Sequence, residues 1–404
     1  MPHLHGLPPP SSPARDSRLV DLEHPSQRSN TFAEADQQAP TRARRQGMVG
    51  YYTGIKPESD RMQEQLHDPR LAQLRSWLQS IGPEWPVTLA TLAPASSDAS
   101  FRRYFRVAST RPDHPTLIVM DAPPTHEDCR PFVQVARLFG EAGATVPTVL
   151  AEDLNQGFLL LADLGNTTYL SVLNGDTADQ LYADATDAML CIQRATQAGT
   201  LPAYDRALLQ RELDLFPEWY IGKHLGATLD DTQRSTLQAI NDALIRNNLA
   251  QPQVYVHRDY HSRNLMHTEH GNPGVLDFQD AVIGPITYDA VSLWRDAYIS
   301  WDEERQIDWL VRYWEKARKA GLPLSSDFGD FYRDYEWMGL QRHLKVLGIF
   351  ARLSHRDGKH GYLDDMPRVM QYTRGVAERY SELRSLARLL DALEGRSQAV
   401  GYTF

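Results

Sequence analysis

Cysteine is scarce. The 404-residue chain has two, Cys129 and Cys191, far apart and neither in a CxxC pair. Neither a disulfide scaffold nor a zinc site is suggested, and a reducing compartment fits. Long apolar runs are missing: none reaches the roughly 20 residues of a membrane span. Pro8, Pro9 and Pro10 stand where a signal peptide would carry its apolar stretch. Positive charge is in the minority, with a formal net charge of -10, so nothing draws the chain as a whole to nucleic acid or an anionic membrane. These absences fit a cytoplasmic protein, expected to be a monomer, whose partner is a small molecule rather than nucleic acid or membrane. An anionic ligand would need a local group of arginines.

What is present divides into three parts. Residues 1–61 are rich in Pro, Ser, Arg and Gln and show no apolar period. Such a segment cannot bury enough surface to offset its ordering entropy, so it is expected to be a disordered extension. Alternatively, the natural start is Met62. From there Leu66, Leu71, Leu74, Trp77, Leu78 and Ile81 recur at helical spacing. Strand patterns follow at Val87–Leu92, Phe101–Val107, Thr116–Met120, Thr148–Ala151 and Phe158–Leu161, with a helix expected from His126 to Ala142. This gives a small mixed lobe over 62–163. Over 164–404 helical patterns dominate, at 177–198, 205–222, 231–248, 286–299, 302–320, 327–353 and 364–395. A strand-loop-strand segment at 254–277 interrupts them. The fold class is α+β: a small sheet lobe joined to a large helical one.

The interruption carries the chemistry. Val254-Tyr255-Val256 leads into His257-Arg258-Asp259, with Asn264 five residues after the Asp. A second short strand, Gly274-Val275-Leu276, ends in Asp277-Phe278. A loop between two strands can place two carboxylates and an amide around one cleft. Phosphoryl transfer needs this set: positioning and charge neutralisation outweigh covalent help. Asp259 is the expected proton acceptor for a hydroxyl. Asn264 and Asp277 offer the hard oxygen ligands that Mg²⁺ prefers. His257 is read as a brace for the loop, and Asp289 as a loop anchor rather than a ligand.

The run His257-x-Asp259-x-x-x-x-Asn264 followed by Asp277-Phe278 resembles the catalytic and metal loops of the protein-kinase-like fold. Residues 62–395 resemble the aminoglycoside phosphotransferase family. His261 stands where protein kinases usually carry Lys, no Ala-Pro-Glu follows, and Gly284-Pro285-Ile286-Thr287-Tyr288-Asp289 is similar to an element of the small-molecule kinases. The resemblance implies a bilobal fold, ATP and Mg²⁺. Within the family the chain is similar to the anomeric amino-sugar kinases of bacterial cell-wall recycling. The likeness lies in Asp98–Phe105, Met120–Pro124, Phe158–Gly165 and Gln341–Gly348. It implies an N-acetyl-hexosamine acceptor, N-acetylmuramate or N-acetylglucosamine, phosphorylated at C1. Leu161, Ala162 and Asp163 fall where the hinge should meet adenine. Arg295 or Arg342 would meet the lactyl carboxylate of muramate, and Trp219 would stack on the sugar.

Two family features are absent. No lysine occurs between Lys56 and Lys223, and Met120 occupies the place where the phosphate-binding Lys is expected. Arg103, on the second strand, is the expected replacement. Glu127 or Asp128 is the candidate helix acid. The glycine-rich loop is replaced by Ala95-Ser96-Ser97-Asp98-Ala99-Ser100, where Ser97 is the residue expected nearest the phosphates. Two rival readings stay open: a kinase for another small alcohol such as choline, homoserine or an aminoglycoside, and a pseudokinase that binds ATP without turnover.

Overall fold

The computed structural model describes residues 68–97 and 101–395. The 1–61 extension, Met62, the turn residues 98–100 and the side chain of Ser97 lie outside the described residues. Asp68 caps the first helix, α1 (Pro69–Ser80), its carboxylate accepting the N–H of Arg70 at 2.9 Å and of Leu71 at 3.2 Å. Those N–H groups have no partner inside the helix. Five strands follow: β1 (Val87–Ser97), β2 (Arg103–Ser109), β3 (Thr116–Asp121), β4 (Val149–Asp153) and β5 (Phe158–Ala162). Helix α2 (Arg130–Glu141) lies between β3 and β4. The sheet order is β1-β2-β3-β5-β4, with every neighbour antiparallel.

Alternation along the strands gives this sheet two faces. Phe105, Val107, Leu117, Val119, Phe158 and Leu160 face α1 and form a separate small core with Leu71, Leu74, Trp77 and Leu78. Met120, Leu159 and Leu161 face the other way, into the large core shared with α2 and the helical lobe. The register sets Arg103 directly opposite Asp121, on the α1 face. Asp121 is fully buried and accepts from Arg103 Nε at 2.9 Å and Arg70 Nε at 2.7 Å. Arg103 also pairs with Asp68. A buried carboxylate needs such partners, so Arg103 is committed to bracing α1 against the sheet.

After Asp163 come α3 (Tyr169–Val172), α4 (Ala178–Arg194), α5 (Arg206–Leu213), a π-helical segment Phe216–His224, and α6 (Asp231–Ala250). Next are β6 (Gln253–Val256), β7 (Leu265–Met266), β8 (Gly274–Val275) and β9 (Val282–Pro285). The chain ends in α7 (Tyr288–Trp294), α8 (Glu303–Lys319), α9 (Phe328–Asp357), α10 (Met366–Arg379) and α11 (Arg384–Leu393). The structure departs from the helices expected in three places. The helix expected over 205–222 breaks after Leu213, and its second half winds wider, with Pro217 in the first turn, where a missing N–H does least harm. There α9 crosses so closely that a Cβ on Gly348 would stand 2.5 Å from the carbonyl of Leu215. The helix expected over 286–299 is only α7, and the one over 364–395 divides at the Ser381–Leu383 turn. β9, hidden in the sequence by its brevity, pairs antiparallel with β6. The result is the bilobal kinase-like fold. Among the described residues, no helix is long and apolar enough to cross a membrane.

Candidate active site

The loop expected to be catalytic lies between β6 and β7 and is clamped from below. Asp289, at the start of α7, is buried, and its carboxylate accepts the N–H of His257 at 2.7 Å and of Arg258 at 3.0 Å. His257 is fully buried, and burial lowers its pKa below the usual imidazole value, keeping the ring neutral. Its Nε2 stands 2.8 Å from the Leu276 carbonyl and its Nδ1 accepts the Asp259 N–H at 3.2 Å, which assigns the ring proton to Nε2. One imidazole thus ties the strand before Asp259 to the strand before Asp277. The loop is held under strain. Arg258 (φ 77°) and Asp277 (φ 62°) are the two non-glycine residues with positive φ among the described residues. Such conformations cost on the order of 1–3 kcal/mol each and persist where surrounding structure fixes them.

Asn264 connects the two motifs. Its Nδ2 donates to the Asp259 carbonyl at 3.0 Å and faces Asp277 Oδ2 at 3.4 Å, which leaves its Oδ1 as the atom turned to a ligand. Gln279 Nε2 donates to Asp277 Oδ1 at 2.8 Å and fixes that carboxylate. One carboxylate and one amide oxygen on the same cavity fit Mg²⁺, a hard ion that keeps waters and takes its remaining oxygens from phosphates. Among the described residues no cluster of three or more His, Cys, Asp or Glu side chains forms a closed metal cage.

Asp259 itself accepts no hydrogen bond on its carboxylate from the described residues. Burial alone would raise its pKa, but the charges around it outweigh burial and hold it at about 2: Lys345 first, then His261, Arg258 and Arg342. Lys345 belongs to a buried network. Its Nζ donates to Tyr288 Oη at 2.9 Å and pairs with Glu212 at 3.0 Å. Glu212 also accepts from Arg258, Tyr204 and Gln341. Lys345 and Arg258 are balanced by Glu212 and Asp259, so Asp259 stays ionised.

A cavity of about 410 Å³ opens beside this loop, between the sheet and the helical lobe. Leu161, Ala162 and Asp163 line it from the hinge, Tyr104, Arg106 and Ile118 from the sheet, and Arg263, Asn264 and Asp277 from the loops. Asp163 is drawn to the sheet: Arg106 Nε and Nη2 meet its carboxylate at 2.6 and 2.9 Å.

Other expected residues stand elsewhere. Arg103 is on the far face of the sheet, as its register with Asp121 requires. The inward arginine at that end of β2 is Arg102, largely buried, with Nε 3.7 Å from Glu127. Asp128 instead pairs with Arg130 at the surface. Phe132, three residues beyond Cys129 in α2, packs on Phe278 with ring centroids 4.8 Å apart, which joins this corner to Asp277. Arg295 is buried against Glu336 at 2.9 Å and shares it with Arg379. Arg342 is buried too, but its Nη1 has no partner among the described residues, and its charge reaches Asp259. Trp219 is half-buried against the large core and does not line the cavity.

The sequence reading passed over Glu212, Lys345, Gln279 and Arg263. Only Lys345 left a signal: it lies four residues after Gln341 on one turn of α9, and both reach Glu212.

Fold and site together define a class. The chain belongs to the phosphotransferase enzyme family, whose sequence profile matches residues 91–324; in class it is an ATP-dependent phosphotransferase with an alcohol-type acceptor. It is 52% identical over 339 residues to the N-acetylmuramate/N-acetylglucosamine kinase of Pseudomonas aeruginosa, a match covering 82% of this chain and 99% of that one. It is 49% identical over 340 residues to the protein of the same name from Neisseria meningitidis, covering 83% and 99%. In fold it is similar to a Plasmodium vivax ethanolamine kinase, with a TM-score of 0.54 at 9% identity, over 80% of this chain and 96% of that one.

Proposed function

We propose that the protein uses ATP and Mg²⁺ to phosphorylate the anomeric C1 hydroxyl of N-acetylmuramate and N-acetylglucosamine, as a sugar kinase of peptidoglycan recycling. The observation that carries the chemistry is an ionised Asp259, its carboxylate accepting no donor from the described residues, on the loop that Asn264 ties to Asp277, with Asn264 and Asp277 lining one cavity. The observation that favours these acceptors is the identity near one half with relatives so named, over nearly their whole length.

In this reading Asp259 orients the acceptor hydroxyl and takes its proton as the new P–O bond forms. A carboxylate with so low a pKa is a weak base, so it receives the proton late, once the oxygen has begun to bond phosphorus. Asn264 Oδ1 and Asp277 would hold Mg²⁺, which would supply charge neutralisation at the phosphates. Backbone groups of Leu161, Ala162 and Asp163, which line the cavity, would border the adenine, and Arg342, whose Nη1 has no partner among the described residues, would meet the lactyl carboxylate. Arg102, oriented by Glu127, takes the part of the missing lysine over the phosphates.

An ADP-release assay with Mg-ATP tests the acceptor. Turnover is expected with both N-acetyl sugars and none with their methyl glycosides, in which C1 is blocked. Turnover confined to choline, homoserine or kanamycin would sink the sugar assignment. For Arg102→Met, calorimetry is expected to show Mg-ATP binding weakened about tenfold, the effect of one charge-assisted contact, with adenosine binding unchanged. Equal weakening of adenosine would mean that the change deformed the lobe instead.

A further inference from the structure

The catalytic loop has a second side chain at the cavity besides Asn264, and it is a cation. Arg263 lines the cavity together with Asn264 and Asp277. His261, two residues after Asp259, does not: it lies edge-on to Tyr298 at 5.3 Å between ring centroids and does not line the cavity. Among the described residues, the only other cationic one lining the cavity is Arg106, which is consumed by Asp163, Asn166 and the Gly165 carbonyl. Arg263 has no carboxylate partner among the described residues. Its guanidinium carbon sits 3.7 Å above the Tyr298 ring and 5.9 Å from that of Tyr362.

That arrangement is informative because of how an arginine stacks. The ring attracts the flat face of the guanidinium and holds its orientation, while all N–H donors lie in the plane and stay free for an anion. A side chain kept only for solubility has no need of two aromatic rests. An arginine held this way, adjacent in sequence to a metal-binding asparagine, is preorganised for a phosphoryl group.

We propose that Arg263 is the catalytic loop's cation, contacting the phosphoryl group in transit between ATP and the acceptor. The assignment rests on the kinase reading above. In the step it assists, the bond from the γ-phosphorus to the β,γ-bridging oxygen breaks and its electron pair leaves with ADP. The acceptor oxygen bonds the phosphorus, and its proton goes to Asp259. Arg263 donates to the equatorial oxygens, over which the charge of the moving group is spread.

The test is steady-state kinetics of Arg263→Met and Arg263→Lys with a carboxylated acceptor, N-acetylmuramate, and an uncharged one, N-acetylglucosamine. Calorimetric Mg-ATP binding and melting temperature accompany it. Arg263→Met is expected to lower kcat about 10³-fold for both acceptors alike, the scale of an arginine finger, with ATP binding changed less than about threefold and melting unaltered. Arg263→Lys should recover part of the rate, as should guanidinium added to Arg263→Ala. A loss confined to N-acetylmuramate would overturn the assignment and make Arg263 an acceptor-carboxylate site. So would a loss lying wholly in ATP affinity, or no loss. If neither sugar turns over in the unmodified protein, the acceptor reading fails by itself, and slow hydrolysis of ATP by water supplies the same comparison for Arg263.

Discussion

Asp259→Asn is expected to lower kcat by about 10²- to 10⁴-fold, the range for removing a positioned general base, while Mg-ATP binding stays within a few fold. The substitution keeps the shape of the side chain and removes its charge. Nothing in the protein's own hydrogen bonding is broken, because the carboxylate accepts no donor from the described residues. The loop's supports are all backbone or belong to other side chains: Asp289 to the N–H groups of His257 and Arg258, His257 to Leu276, Asn264 to the Asp259 carbonyl. The reaction should therefore lose its proton acceptor in an otherwise intact site. The change leaves Lys345 and Arg258 with only Glu212 opposite them, so a modest fall in melting temperature is expected too. Single-turnover kinetics with a saturating acceptor, beside ATP titration, separates the two effects. Undiminished turnover in Asp259→Asn would remove Asp259 from the mechanism. Absence of turnover in the unmodified protein, with ATP still bound, would return the pseudokinase reading.

Asp277→Asn should give the other large loss, with a different signature. Removing even an outer partner of a metal ligand typically costs 10- to 100-fold in metal affinity or activity, so removing a charged ligand should cost at least about 10²-fold. The loss should appear as weaker Mg²⁺ activation, and raising Mg²⁺ should restore part of the rate. No metal concentration should restore Asp259→Asn. Asparagine is the right replacement for a structural reason. Asp277 sits at φ 62°, a conformation Asn tolerates and most other residues do not. Alanine there would add backbone strain and confuse the result. An unchanged Mg²⁺ dependence in Asp277→Asn would remove that carboxylate from the metal site.

Much of this site was legible because its spacing is local. Asp259 and Asn264 share one loop, and Asp277 ends the next short strand; pairing of β7 with β8 then brings the three together. The brace and the anchor were legible for the same reason: a histidine two residues before Asp259, and an acid at the head of the next helix. The arginines were not. Alternation along β2 divides Arg102 and Arg106 from Arg103, but a period of two cannot say which face turns to the helical lobe. That depended on Asp121, whose register opposite Arg103 and contact with Arg70 pull Arg103 toward α1. Arg295 and Arg342 look alike in sequence. Glu336, on a different helix from Arg295, pairs with the first, whereas the second has no carboxylate partner among the described residues.

The sequence by itself determined the two-lobed division, the strand and helix periods, and the Asp-Asn-Asp set, because these depend on neighbours within a few residues or on the burial pattern of one element. Only the tertiary structure decided the charge state of Asp259. That state arises against burial and chiefly from Lys345 on α9, 86 residues further along the chain by its number, and electrostatic energy depends on distance in space and on burial, neither of which a spacing pattern records. The same holds for Arg263. Its place in the loop is local, but its orientation is set by Tyr298 and Tyr362, aromatic faces that come to it from distant parts of the chain.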